Sequence, residues 1–272
     1  GTPADTSEQL GAKTGGKLGA LVDVRDKTLP DFHRDIDRLT QTVRDRVNAA
    51  HNEGTIGNGR TNEMRGSTDL STGPSLDASG DITIIEVDSN GNVTASNTIT
   101  LSSTGITPSA LVADMNSEYQ TATGSPNDIA HLESGNVVFR EDDNTNTPTG
   151  TNFVVTGNAN LQVNGSPATQ KGFSDFLGLN DLFKTPNTEA IGAAGDIQVR
   201  SDIKLDPSRL SAGPASTTVG TAAIPIGDAS VAQSMAAAFE NRGTIAASNG
   251  NLKAVDTTLS GYAGDILSFQ AS

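Results

Sequence analysis

Between Leu29 and Ala50 the apolar residues Leu29, Phe32, Ile36, Leu39, Val43, Val47 and Ala50 follow one another at steps of 3, 4, 3, 4, 4 and 3. Only a helix with 3.6 residues per turn gathers such positions onto one side. A stripe of that length must be covered by something. The cover is expected at the far end of the chain, where Val255, Leu259, Tyr262, Ile266 and Phe269 recur at steps of 4, 3, 4 and 3. That is a heptad seam, still running where the sequence stops, and it predicts a helix continuing beyond this chain.

Local signals frame the first helix. Leu18, Leu21 and Val22 predict a short helix to about Lys27. Thr28, Pro30 and Asp31 predict a restart, with Thr28 as cap and Pro30 in the first turn. Gly54 ends a helix of about 26 residues, about 39 Å long. Its other faces carry Asp31, Arg34, Asp35, Arg38, Arg44, Asp45 and Arg46. Arg34, Asp35 and Arg38 are candidate subunit contacts, with a merely solvated face as the equal alternative.

Between the two helical ends the chain changes character. Residues 55–80 read as loop. Asp81–Val87 and Val93–Leu101 read as strands around the turn Ser89-Asn90-Gly91-Asn92. Thr107–Tyr119 reads as a short helix, and Asn136–Arg140 with Asn152–Thr156 as a second hairpin. Phe173, Phe176, Leu177, Leu182 and Phe183 concentrate bulk in a chain with only 8 Phe, 2 Tyr and no Trp, and so are assigned to the insert's core rather than to a binding patch. Ile197–Leu205 reads as a strand, 206–227 as loop, and Asp228–Asn241 as a helix.

Charge and composition exclude several function classes. With 32 acidic against 18 basic residues the net charge is −14, which repels phosphate backbones and anionic lipid, so no nucleic-acid or membrane partner is expected. The chain has no Cys, which removes disulfides and thiolate chemistry. No run is long and apolar enough for a membrane span, and no signal peptide is visible.

The catalytic motifs fail on context. Gly11–Lys17 (GAKTGGK) lacks the hydroxyl residue after the Lys, since Leu18 stands there, and no strand precedes it. Ser201–Lys204 and Lys13–Gly15 match fragments of the penicillin-recognising serine enzymes in reversed order, without the middle motif. His33 and His51 would lie about 27 Å apart along one helix, too far to share a metal ion, and His131 has no neighbouring His. The runs Asp88–Asn92 and Asp142–Asn146 lack the Glu that a calcium loop needs at its twelfth position. No catalytic, cofactor-binding or metal-binding residue is assigned.

The wording of several segments resembles one family. Gly16-Lys17-Leu18-Gly19-Ala20-Leu21, Arg25-Asp26, Leu29-Pro30, Val47-Asn48-Ala49-Ala50-His51, Phe176–Phe183 (FLGLNDLF), Ile197–Leu210 (IQVRSDIKLDPSRL) and Leu259–Ser272 (LSGYAGDILSFQAS) stand in the order found in the flagellar hook-associated protein 1 family. The resemblance runs over most of the chain from residue 16. It implies an α+β protein whose two ends form a flagellin-like helical inner domain around a β-rich insert. The boundaries expected are 17–54 and 221–272 for the helical domain, 55–220 for the insert, and 1–16 for a truncated starting loop. It further implies a non-enzymatic structural subunit of the bacterial flagellum, exported by the flagellar type III route with an export chaperone. Such a subunit sits in a ring of copies between the hook protein and the second junction protein. The segments that line the tube's core are absent, so the chain reads as a fragment. Asn52–Met64 departs from the acidic, Gly-rich run of many relatives. The rival reading is a secreted adhesion module that binds through the β-rich insert.

Overall fold

The computed structural model describes residues 16–56, 61–185, 192–225 and 227–270. The loop expected over 1–16 lies, apart from Gly16, outside them, as do residues 11–15 of the phosphate-loop-like stretch. The fold is α+β. In chain order the helices and strands are α1 (Lys17–Asp23), α2 (Leu29–Asn52), β1 (Met64–Arg65), β2 (Leu76–Val87), β3 (Val93–Ile106), α3 (Pro108–Thr123), β4 (Asp128–Glu133), β5 (Asn136–Asp142), β6 (Asn152–Gly157), β7 (Asn160–Val163), β8 (Lys171–Gly172) and α4 (Phe173–Leu177). They continue with β9 (Phe183–Lys184), α5 (Ala193–Asp196), β10 (Gln198–Val199), α6 (Ser201–Leu205), α7 (Ser230–Glu240), β11 (Gly243–Ile245), β12 (Val255–Thr257) and α8 (Leu259–Gln270).

The chain divides into two compact units. The first is Gly1–Asp45, Thr185–Gln198 and Ala237–Ser272; the second is Arg46–Lys184 and Val199–Ala236. The division therefore falls inside α2 and inside α7, not at residues 54 and 220. The last turns of α2 belong to the β-rich unit because their polar side chains bind its loops.

In the first unit, α1 runs into α2 through a π-helical turn, Val24–Thr28, so Thr28 is no helix cap. Pro30 explains the wide turn. It has no N–H to donate and its ring would strike the carbonyl four residues back, which an extra residue in the turn relieves. Phe32, Leu39 and Val43 pack against a small core of Ile245, Leu259, Tyr262 and Ile266, with Leu252 and Val255 at its margin. Val255 is not helical: it pairs with Ile245 in the two-stranded β11–β12 sheet, and the helix starts only at Leu259. Phe269 is 49% exposed and Leu29 48%, so neither belongs to this core. Phe269 shares the arc of Leu259, Tyr262 and Ile266 but stands a turn past Ile266, where this core ends.

The second unit is built on β2. Its turn to β3 is an Asx turn: Asp88 Oδ1 accepts from the Asn90 and Asn92 N–H groups at 2.8 and 2.9 Å, and Gly91 takes φ 82°. Both strands outrun the sequence reading, β2 starting at Leu76 and β3 ending at Ile106. Opposite β3, the second half of β2 pairs with β6 (Ile84 to Val155) and its first half with β7 (Ala78 to Leu161). The switch between them turns at Gly157, φ 147°, where the Asp81 carbonyl accepts from both Asn158 and Ala159 N–H at 2.9 and 3.0 Å.

β5 and β6 do not form the expected hairpin. β5 lies between β1 and β4 in a separate three-stranded sheet. The intervening loop folds on itself, with Asp143 Oδ1 accepting from Thr145 and Thr147 N–H, which frees β6 for β2. Thr107 caps α3 through Oγ1 to Ala110 N–H at 3.2 Å, and Leu111, Met115 and Tyr119 turn inward. The core gathers these with Ile82, Ile84, Phe139, Phe153, Phe173, Phe176 and Leu177. The Phe139 and Phe173 rings meet edge to face at 5.9 Å. Leu182 and Phe183 lie outside this core, only partly buried. The strand expected over Ile197–Leu205 is instead a two-residue strand followed by helix α6, which buries Ile203 and leaves Leu205 86% exposed.

Candidate functional site

The chemistry-bearing residues converge on α2, and within each unit they do the same thing. In the first unit Asp35 is fully buried, so it is not a surface contact. Its Oδ1 accepts from the Ser248 hydroxyl at 2.5 Å, Asn251 N–H at 3.1 Å and Leu252 N–H at 3.2 Å, and its Oδ2 from Asn251 Nδ2 at 3.2 Å. A carboxylate can be buried when hydrogen-bond donors surround it. Asp37 does likewise, accepting from Gly192 N–H at 2.7 Å and Ala194 N–H at 2.9 Å at the start of α5. Tyr262 is buried nearby. Burial and the Asp35 carboxylate push its phenol above the ordinary tyrosine range. Of the other candidate contacts, Arg34 is bound to Asp31 at 2.6 Å and Arg38 is half-buried.

In the second unit three separate stretches meet at the end of α2. Asn48 Oδ1 accepts from Leu182 and Phe183 N–H at 3.0 and 2.9 Å, and its Nδ2 donates to the Phe183 carbonyl at 2.8 Å. Asn52 Oδ1 takes Asn180 N–H at 2.9 Å and the Ser174 hydroxyl at 2.8 Å, while its Nδ2 reaches Asp181 at 2.8 Å. His51, fully buried, accepts the Ser211 N–H at Nε2 (2.9 Å). A peptide N–H can only donate, so Nδ1 carries the proton and donates to the Asn180 carbonyl. Burial first, against the Asn180 contact, pulls this imidazole below its ordinary value. Arg200 donates to the Leu179 carbonyl at 2.9 Å and forks onto Asp202 at 2.9 and 3.1 Å. Burial pushes the Asp202 carboxyl up, yet Arg200 beside it outweighs that and holds it low.

Nearly all of these polar groups are satisfied within the protein, and most face backbone. They clamp loops distant in sequence onto one helix; the Ser211 hydroxyl, 3.3 Å from His51 Nδ1, meets the ring nitrogen that already donates to the Asn180 carbonyl, and the other ring nitrogen already accepts from Ser211 N–H. A cleft of about 300 Å³ opens by Asn52, Ser174 and Asp175, but its floor is the Asn52–Ser174 hydrogen bond already described. Among the described residues no group of three His, Asp or Glu is placed to hold a metal ion, and no helix is long and apolar enough to cross a membrane.

Sequence reasoning reached the apolar stripe but passed over Asp37, Asn48 and Asn52, and it placed Asp35 outside. The readable signal was Asn, a poor helix former, standing twice in the last two turns of a strong helix.

Residues 2–64, which include α1 and all of α2, match the family model for the helical domain of the flagellar hook-associated protein FlgK. The chain carries a FlgK helical domain. No curated protein matches it. The family match covers residues 2–64 of the 272 and makes this part of the chain similar to the helical domain of a hook-associated structural protein of the flagellum. The stretch Val47–His51 inside the matched region is the one that holds Phe176–Phe183 and Ser211 in place.

Proposed function

We propose that this chain joins hook to filament as a packing subunit, one of a ring of identical copies between the hook protein and the second junction protein. The observation that carries the reading is the matched helical domain, with α2 as a continuous helix of 24 residues clamped by buried polar residues in each unit. Copies around a ring meet through two different surfaces, so the chain presents heterologous contacts. The charged residues of α2, Arg34 and Arg38 among them, are proposed on one of these, together with the exposed apolar residues of the first unit, Leu29, Leu267 and Phe269. The residues proposed to hold that unit together are Phe32, Ile36, Leu39 and Val43 against Leu259, Tyr262 and Ile266, with Val47 buried further along α2. Export by the flagellar type III route, aided by a chaperone, completes the reading. No catalysis is proposed.

The test is electron microscopy of cells from which the gene has been deleted. Hooks without filaments, with filament protein shed into the medium, are the expected result. Filaments still seated on their hooks would overturn the assignment.

A further inference from the structure

The guanidinium of Arg38 stands apart. Among the described residues every other arginine has a partner. Among the described residues Arg38 has neither an ion pair nor a side-chain hydrogen bond, and its Nε is buried. A guanidinium without an acceptor is costly, and because this side chain is only half-buried, the nitrogens beyond Nε are open to an acceptor from outside the chain. The nearest charged residues on α2 are already engaged: Asp35 faces inward onto the 248–252 loop, and Arg34 is held by Asp31 at 2.6 Å. The guanidinium fork matches a carboxylate, which accepts two parallel N–H groups.

Charge distribution says where that carboxylate comes from. Residues 17–46 hold 7 of the chain's 18 basic residues but 6 of its 32 acidic ones, and two of those six, Asp35 and Asp37, are buried. The rest of the chain carries 26 acidic residues against 11 basic. Residues 17–46 are thus slightly basic in an acidic protein, and another copy of the same chain, with a net charge of −14, offers them carboxylates. We propose that Arg38 binds a carboxylate of a second copy of this chain, completing a contact between subunits. This inference rests on the reading of the chain as an assembly subunit.

The absence of Cys does not help a cross-link here, but the side-chain chemistry does. Arg38→Lys replaces the guanidinium by an amine that a carbodiimide couples to a carboxylate in contact with it. The full chain carrying this substitution is mixed in ¹⁵N-labelled and unlabelled forms at concentrations where sedimentation reports association, coupled, and digested for mass spectrometry. The expected product is an amide between position 38 and an Asp or Glu of the opposite isotopic form. Arg38→Glu is expected to weaken association by about tenfold, from like-charge repulsion at a close pair. A coupling found only within one copy overturns the proposal. So does no coupling at position 38 while exposed lysines such as Lys17 react, a wild-type chain that stays monomeric, or an Arg38→Glu chain that associates as tightly as wild type. These outcomes leave the flagellar assignment standing, since that is decided by the deletion strain.

Discussion

Asn48→Ala removes a side chain that satisfies three backbone groups at once, Leu182 N–H, Phe183 N–H and the Phe183 carbonyl. Leaving one buried group unpaired costs about 1–3 kcal/mol. The groups of residues 182 and 183 are partly buried and regain some water, so the low end applies, about 3 kcal/mol for the three. Alanine is the better helix former and returns about 0.5 kcal/mol. The net loss is about 2.5 kcal/mol, which lowers the melting temperature of a unit this size by about 5–10 °C. The two tyrosines make the assay specific. Tyr119 lies in the second unit and Tyr262 in the first, both buried, so in a Tyr262→Phe background the intrinsic fluorescence reports the second unit alone. Urea titration of Asn48→Ala in that background is compared with Thr94→Ala, an exposed strand position. A loss below about 1 kcal/mol, or no larger than that of Thr94→Ala, would refute the clamp as an energetic feature of the fold.

Three further outcomes follow from the geometry. The imidazole of His51 titrates below its ordinary value of 6.5 in the folded chain, so the unfolded state binds more protons as the pH falls past 6.5. Urea midpoints should therefore drop between pH 7.5 and pH 5.5, and His51→Gln should flatten that slope; an unchanged slope would show the imidazole to be indifferent. Gly157→Ala places a Cβ against the Asp81 carbonyl oxygen and 2.7 Å from Ile82 Cα at a φ of 147°, and should yield little soluble protein or a chain several degrees less stable by calorimetry. Thr107→Ala deletes the cap on α3 and should cost about 1 kcal/mol by urea unfolding, while Thr107→Ser should cost less than half of that.

What was legible in the sequence was what repeats. The 3-and-4 stepping from Leu29 to Val47 made α2 readable, and the Asn90-Gly91 turn between β-rich runs made β2 and β3 readable, because both signals are local. Thr107-Pro108 marked a helix start for the same reason. The errors lie where distant parts of the chain decide. Asn152–Thr156 reads as the return arm of a hairpin, but β2 offers it an open edge and Gly157 permits the crossing to β7. Ile197–Leu205 alternates like a strand, yet Arg200 spends its guanidinium on Leu179 and Asp202 and starts a helix there. Val255 keeps heptad step with Leu259 but pairs with Ile245 in a two-stranded ladder three residues long.

The polar clamps show the same division at the level of the site. Asp35 looks like any charge on a helix flank, since its sequence neighbours His33, Arg34 and Arg38 are polar too; only Ser248, Asn251 and Leu252, more than 200 residues away, turn it inward. Asn48 and His51 are likewise silent until residues 180–183 and 211 are brought to them. Periodicity reports which face of a helix is apolar, whereas a buried polar residue is defined by its partners, and partners are a property of the fold. Such residues cost stability when any one partner is missing and give it when all are present. A chain whose loops have not yet closed on Asp35, Asp37, Asn48 and Asn52 leaves those side chains to water, and each clamp forms only when its loop arrives.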